Sequence, residues 1–127
     1  MKLFSIKPVY AHCDLPCGVY DPAQARIEAE SIVEILKRYP NLGPSDQTRA
    51  IIIKEERAEL VKHHLMVLWA DYFKPEHAER FSNLHEVFWQ AIKQASTTKR
   101  SLDVADGQKL LEQIDAIAEI FKQSKAS

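Results

Sequence analysis

Apolar residues recur at helical spacing along most of the chain, and no segment sustains the period-2 alternation of a half-buried strand. Asp21-Pro22-Ala23-Gln24 reads as a helix start, with an aspartate cap, proline at the first helical position and a glutamine placed to bond back to the cap. Ala25, Ala29, Ile32, Val33, Leu36 and Tyr39 then share one face. Pro40-Asn41-Leu42-Gly43-Pro44 breaks that helix, and Ser45 or Asp46 is expected to cap the next. The second helix aligns Ile53, Leu60, Val61, His64, Leu65, Leu68 and Tyr72 and ends before Pro75. Residues 76–81 form a connector whose conformation the pattern leaves open. Ser82 is expected to cap a third helix carrying Leu84, Val87, Phe88, Ala91, Ile92 and Ala95, and residues 97–101 read as a polar turn. Asp103 opens a fourth helix with Leu110, Leu111, Ile114, Ile117, Ala118 and Phe121 inward, its start weakened by Gly107. Short connections between successive helices predict an all-α, antiparallel four-helix bundle over residues 21–124.

A chain of 127 residues fits one domain with a proper core, and 46% hydrophobic with 28% charged residues is ordinary for a soluble globular protein. The net charge of −1 gives no overall reason to expect a nucleic-acid partner. Two neighbouring cysteines exclude a disulfide framework. No apolar run approaches the roughly 18 residues needed to cross a bilayer, so no membrane association is expected. Residues 1–11 faintly imitate a secretory signal, but Lys7-Pro8 interrupts the apolar run after four positions. They read better as a short pro-segment ending at Ala11, ahead of a single cytoplasmic domain over residues 12–127.

Both cysteines fall in His12-Cys13-Asp14-Leu15-Pro16-Cys17-Gly18-Val19-Tyr20. Two soft thiolates four residues apart, plus an imidazole and nearby backbone nitrogens, make a chelating loop over residues 12–20 rather than a packing element. Leu15 precedes a proline and is pushed toward extended backbone, while Gly18 tolerates left-handed dihedrals, so the segment should hook. Pro16 stands where a cis peptide is admissible. A structural zinc site normally takes four protein ligands, and this loop offers three side chains. A redox dithiol usually reads Cys-x-x-Cys in a βαβ context, which is absent. Mixed sulfur and nitrogen donors in a plane suit Ni(II): two thiolates on adjacent corners, backbone nitrogens on the others, and His12 above the plane.

The run from His12 to Ser31, His-Cys-Asp-Leu-Pro-Cys-Gly-Val-Tyr-Asp-Pro-Ala-Gln-Ala-Arg-Ile-Glu-Ala-Glu-Ser, resembles the start of mature nickel-containing superoxide dismutases. The likeness continues through Ile53-Lys54-Glu55-Glu56-Arg57-Ala58-Glu59-Leu60, Lys62-His63-His64 and Leu68-Trp69-Ala70-Asp71-Tyr72-Phe73-Lys74-Pro75. It weakens in the last two helices, where Gly107-Gln108-Lys109 still fits. The leader and residues 41–46 are less family-like. The resemblance implies one nickel ion per subunit, superoxide as substrate, a homohexamer, and a peptidase that removes the leader. It also implies roles for matching positions. Cys13 and Cys17 would supply thiolates, and Cys13 its deprotonated backbone nitrogen as well. His12 would supply its free α-amine in the plane and its imidazole axially. Glu28 would hydrogen-bond that imidazole and be held by Arg57. Tyr20, Asp14 and Tyr72 would line the approach to the metal. In chemical terms, anionic thiolate and amide donors bring the Ni(III)/Ni(II) couple into a usable range, and a narrow entrance protects oxidisable thiolates from peroxide.

Blander roles compete for most of these residues. Isolated cysteines can be small hydrophobes, Tyr20 and Tyr72 can be amphipathic residues at the core edge, and Glu28 with Arg57 can be an ordinary inter-helix ion pair. His63 and His64 are adjacent on a helix, so their side chains diverge and do not share a metal. His77 and His85 read as surface residues, and Trp69 and Trp89 as core or subunit-interface anchors. Two rival functions use the same hook: a non-catalytic nickel- or copper-binding metallochaperone, and a metal-free thiol redox protein.

Overall fold

A computed structural model describes residues 18–126. Its first helix, α1 (Ala23–Arg38), begins where the Asp21 carboxylate accepts the Ala23 N–H at 2.9 Å, and Lys37 and Arg38 in its last turn complement the helix dipole. The predicted stripe Ala25, Ala29, Ile32, Val33 and Leu36 is buried throughout, whereas Tyr39 begins a 3₁₀ turn and is half-buried. The second helix, α2 (Pro44–Val67), starts earlier than expected: Pro44 occupies the first turn after an extended Gly43, and neither Ser45 nor Asp46 caps it. Proline lacks one of the amides that a cap would have to satisfy, and its fixed φ already suits a helix.

The inward stripe of α2 is Ala50, Lys54, Ala58, Val61 and Leu65. Ile53, placed inward by the sequence, is 40% exposed beside exposed Ile51 and Ile52, and Leu60 is half-buried. Small alanines and a lysine carry the register here, so hydrophobicity alone points one residue off. After Val67 the chain widens into a π turn, Leu68–Tyr72, closed by the Phe73 N–H donating to Leu68 O at 3.0 Å. The open connector resolves into a short helix, α3 (Pro75–Arg80).

The next helix, α4 (Leu84–Arg100), follows Asn83 rather than Ser82 and runs through the predicted turn at 97–101 to Arg100. Thr98 explains the extension. It is fully buried, its hydroxyl donates to Ala95 O at 2.7 Å, and its carbonyl accepts from the Lys54 ammonium. The last helix, α5 (Val104–Lys125), is capped as expected, the Asp103 carboxylate accepting the Ala105 N–H at 2.9 Å.

In the bundle, α1 packs on α2 and α5, and α4 packs on the same two. Glu28 faces Arg57, Arg26 faces Asp115, Lys54 faces Thr98 and Gln94 faces Asp106, so every neighbouring pair runs antiparallel. Leu65, Phe88, Ile114 and Ile117 sit among the buried core residues, each contributing about 1.5–3 kcal/mol of apolar burial before entropy. Gly107 is where α5 touches α1, since a Cβ there would lie 3.1 Å from Leu36 Cδ1 and 3.1 Å from Val33 Cγ2. Among the described residues there is no strand, and no helix is long and apolar enough to cross a membrane.

Candidate metal centre and its approach

His12, Cys13, Asp14, Pro16 and Cys17, together with the pro-segment 1–11, lie outside the described residues. The described part of the hook begins at Gly18, whose φ of +70° is the left-handed backbone its sequence position called for. Two residues later Tyr20 meets Tyr72 across the bundle, ring centroids 5.7 Å apart. The π turn matters here. An i→i+5 bond admits one extra residue, so Phe73 becomes the buried side chain while Tyr72 stays half-buried at the rim.

Tyr72 packs against Phe121 at 4.5 Å, against Phe73 at 4.9 Å edge-on, and nearly parallel to His77 at 5.7 Å. Gly18, Tyr20, Asp71, Tyr72, Lys74 and His77 line a cavity of about 420 Å³. His77, read from sequence as a surface residue, is half-buried in that wall. Its Nδ1 accepts the Lys74 N–H at 3.0 Å, so Nδ1 carries a lone pair and the hydrogen sits on Nε2. Only the contact with Tyr72 exposes that role. No spacing in the sequence foretells it, nor the part taken by Asp71 and Lys74.

Glu28 on α1 and Arg57 on α2 do meet: Arg57 Nη1 donates to Glu28 Oε2 at 3.0 Å. The pair is partly enclosed, with Glu28 16% and Arg57 33% exposed along the side chain. Arg57 Nε is enclosed without a hydrogen-bond partner among the described residues. His63 and His64 contact edge to face at 5.4 Å, and Trp69 and Trp89 are 37% and 52% exposed on the single chain.

Among the described residues no three His, Cys, Asp or Glu side chains converge to hold a metal. His12, Cys13 and Cys17 lie outside the described residues; as residue types they form a nitrogen–sulfur set whose chemistry fits nickel. The described residues define a class: an all-α helical bundle with a cavity walled by Tyr20 and Tyr72 beside Gly18. The model of the nickel-containing superoxide dismutase family matches residues 7–125. "Superoxide dismutase [Ni]" of Streptomyces coelicolor is 54% identical over 98% of this chain and 96% of its own length. The protein of the same name from Streptomyces seoulensis is 55% identical over the same shares. A native nickel superoxide dismutase solved at 1.30 Å superposes with a TM-score of 0.88 at 53% identity, covering 91% of this chain and all of that one. A second, with nickel ligation corresponding to the oxidised state, gives 0.88 at 54% identity over the same shares. The chain belongs to the nickel-containing superoxide dismutase family.

Proposed function

We propose that His12, Cys13 and Cys17 hold one nickel ion per subunit. There the chain converts two superoxide ions and two protons into dioxygen and hydrogen peroxide. Family membership makes the protein an oxidoreductase and sets aside the metallochaperone reading. Bound nickel supplies a one-electron couple between its divalent and trivalent states. Everything else falls to the chain's own residues.

Cys13 and Cys17 present thiolates, and the backbone nitrogen of Cys13 presents an amidate. His12 offers an α-amine and an imidazole. Glu28 accepts from that imidazole, and Arg57, 3.0 Å from the Glu28 carboxylate, keeps the acceptor in place. Tyr20, Tyr72 and Asp14 line the approach, with Pro16 and Gly18 turning the hook. The observation that carries this reading is the cavity walled by Tyr20 and Tyr72, whose rim includes Gly18, the neighbour of Cys17 in the chain.

The same reading covers maturation and assembly. While Ala11 is attached, the nitrogen of His12 is an amide with little basicity. A peptidase therefore has to cut between Ala11 and His12 before the amine can bind metal. Residues 1–11 are the pro-segment and 12–127 the mature domain, working in the cytoplasm. Assembly into a homohexamer is supported by exposed Ile52, Met66 and Trp89, apolar surface that a lone chain leaves in water. The test compares intact chain with chain beginning at His12, both loaded with nickel under reducing conditions. Superoxide consumption is expected from the cut form alone. Equal consumption by both, with the leader confirmed by mass spectrometry, refutes the α-amine ligand and the pro-segment together.

A further inference from the structure

Four rings grip the Tyr72 side chain: Phe121, Phe73, Tyr20 and His77. They leave its phenol in one place, and the remaining freedom is the direction of the O–H bond. The hydroxyl lies 2.6 Å from Ser124 Oγ, on the last turn of α5. A serine hydroxyl owns a single hydrogen. Ser124 Oγ also lies 2.6 Å from the carbonyl oxygen of Phe121, three residues back, and a carbonyl can only accept. The serine hydrogen is thereby committed to Phe121 O, so the contact between the two hydroxyls needs the phenol to donate.

We infer that Ser124 is a positioning residue that draws the Tyr72 O–H onto itself, so that Tyr72 offers a lone pair, not a hydrogen, to a guest in the cavity. This deepens the proposed superoxide path and rests on the reading that Tyr72 lines it. The consequence is selectivity by polarity. An anion gains nothing from a lone pair and is not held at the phenol, while Lys74 and Asp71, both lining the cavity, bring one charge of each sign. Superoxide is thus not trapped at the phenol on its way to the hook. Removing Ser124 frees the phenol hydrogen to grip small anions.

The test uses chain beginning at His12 with nickel bound, and azide as the anion probe. Tyrosine labelled with ¹³C at Cζ reports hydrogen bonding by NMR, with Tyr72 assigned through Tyr72→Phe. In Ser124→Ala the Tyr72 Cζ resonance should move, and azide should inhibit superoxide consumption at a concentration about ten- to a hundredfold lower, the value of one new hydrogen bond to an anion. Ser124→Thr, which keeps the hydroxyl, should restore both wild-type values. In a Tyr72→Phe background, Ser124→Ala should leave azide inhibition unchanged. An unmoved Cζ resonance, unchanged azide inhibition in Ser124→Ala, failed rescue by threonine, or an effect that survives in Tyr72→Phe overturns the inference. The NMR arm needs no turnover, so an inactive wild-type chain would count against the proposed function and leave the Ser124 assignment to be judged on its own signal.

Discussion

Replacing Lys54 with methionine should destabilise the bundle, although it removes a buried charge. Lys54 is 1% exposed on the inward face of α2, and its ammonium donates to Thr98 O and, at 2.7 Å, to Lys99 O. Both carbonyls belong to the last turn of α4, where no helical N–H remains to satisfy them and where the helix dipole is negative. A buried side-chain ion pair can often be exchanged for apolar residues at no cost, because both partners can be removed. Here the partners are backbone and stay.

Methionine fills a similar volume but abandons Thr98 O in the interior, at about 1–3 kcal/mol. Lys99 O is only partly buried and can turn to water. The net expectation is a loss of about 1–3 kcal/mol, a fall in Tm of about 4–10 °C for a chain of this length, read by thermal and urea unfolding at fixed protein concentration.

The pH dependence has a definite sign. Burial pushes the Lys54 ammonium below the ordinary lysine value, with the Glu55 carboxylate opposing the shift. Between the folded and unfolded pKa values the unfolded chain binds more protons, so this group's contribution to stability rises with pH there. A neutral amine still has two hydrogens for two carbonyls. The advantage of wild type over Lys54→Met should therefore widen as pH climbs toward the unfolded lysine value. A methionine variant as stable as wild type, or a gap that narrows with rising pH, would refute this account of the site.

Three further outcomes follow from the same geometry. Gly107→Ala gains about 1 kcal/mol of helix propensity but forces a Cβ against Val33 and Leu36 at 3.1 Å, an overpacking worth about 1–3 kcal/mol. The balance is a net loss of about 1 kcal/mol that a double-mutant cycle with Val33→Ala should show as coupling; a stabilised single variant would contradict it. Arg57→Ala should cost about 1 kcal/mol or less of stability, given the partly exposed pair, yet lower superoxide consumption about 10–100-fold. Unfolding without any change in the activity of the remaining folded protein would return Glu28 and Arg57 to a purely structural role. Cys13→Ser or Cys17→Ser should abolish stoichiometric nickel binding and superoxide consumption while circular dichroism keeps its helical signal, since both positions precede the first helix in sequence; near-wild-type turnover in either would sink the assignment.

What could be read from the sequence divides by distance along the chain. The stripe of α1 and the Asp103 cap were legible because each is a local pattern: apolar residues at three- and four-residue spacing, or a carboxylate two residues before the amide it accepts. The proposed donor set is local in the same sense, since His12, Cys13 and Cys17 sit within one short run whose residue types suggest their chemistry. Lys54 was not, because its burial is made tolerable by carbonyls 44 and 45 positions away. Nor was Gly107, which reads locally as a weak helix start but exists for a contact with α1.

The cavity proposed as the approach to the metal is the extreme case of this division. Tyr20 precedes α1, Tyr72 closes a π turn that propensity does not foretell, His77 lies on α3, and Ser124 is 52 residues beyond the phenol it touches. Each alone looks like an amphipathic or surface residue, as sequence reading held for His77. Their shared geometry exists only because four antiparallel helices bring Tyr20, Tyr72 and the last turn of α5 together. On the proposed reading, ligand chemistry is written contiguously, whereas control over what reaches the ligands is spread over the whole bundle. Substitutions on α5, far in sequence from the hook, are accordingly the ones to examine when selectivity changes without loss of nickel.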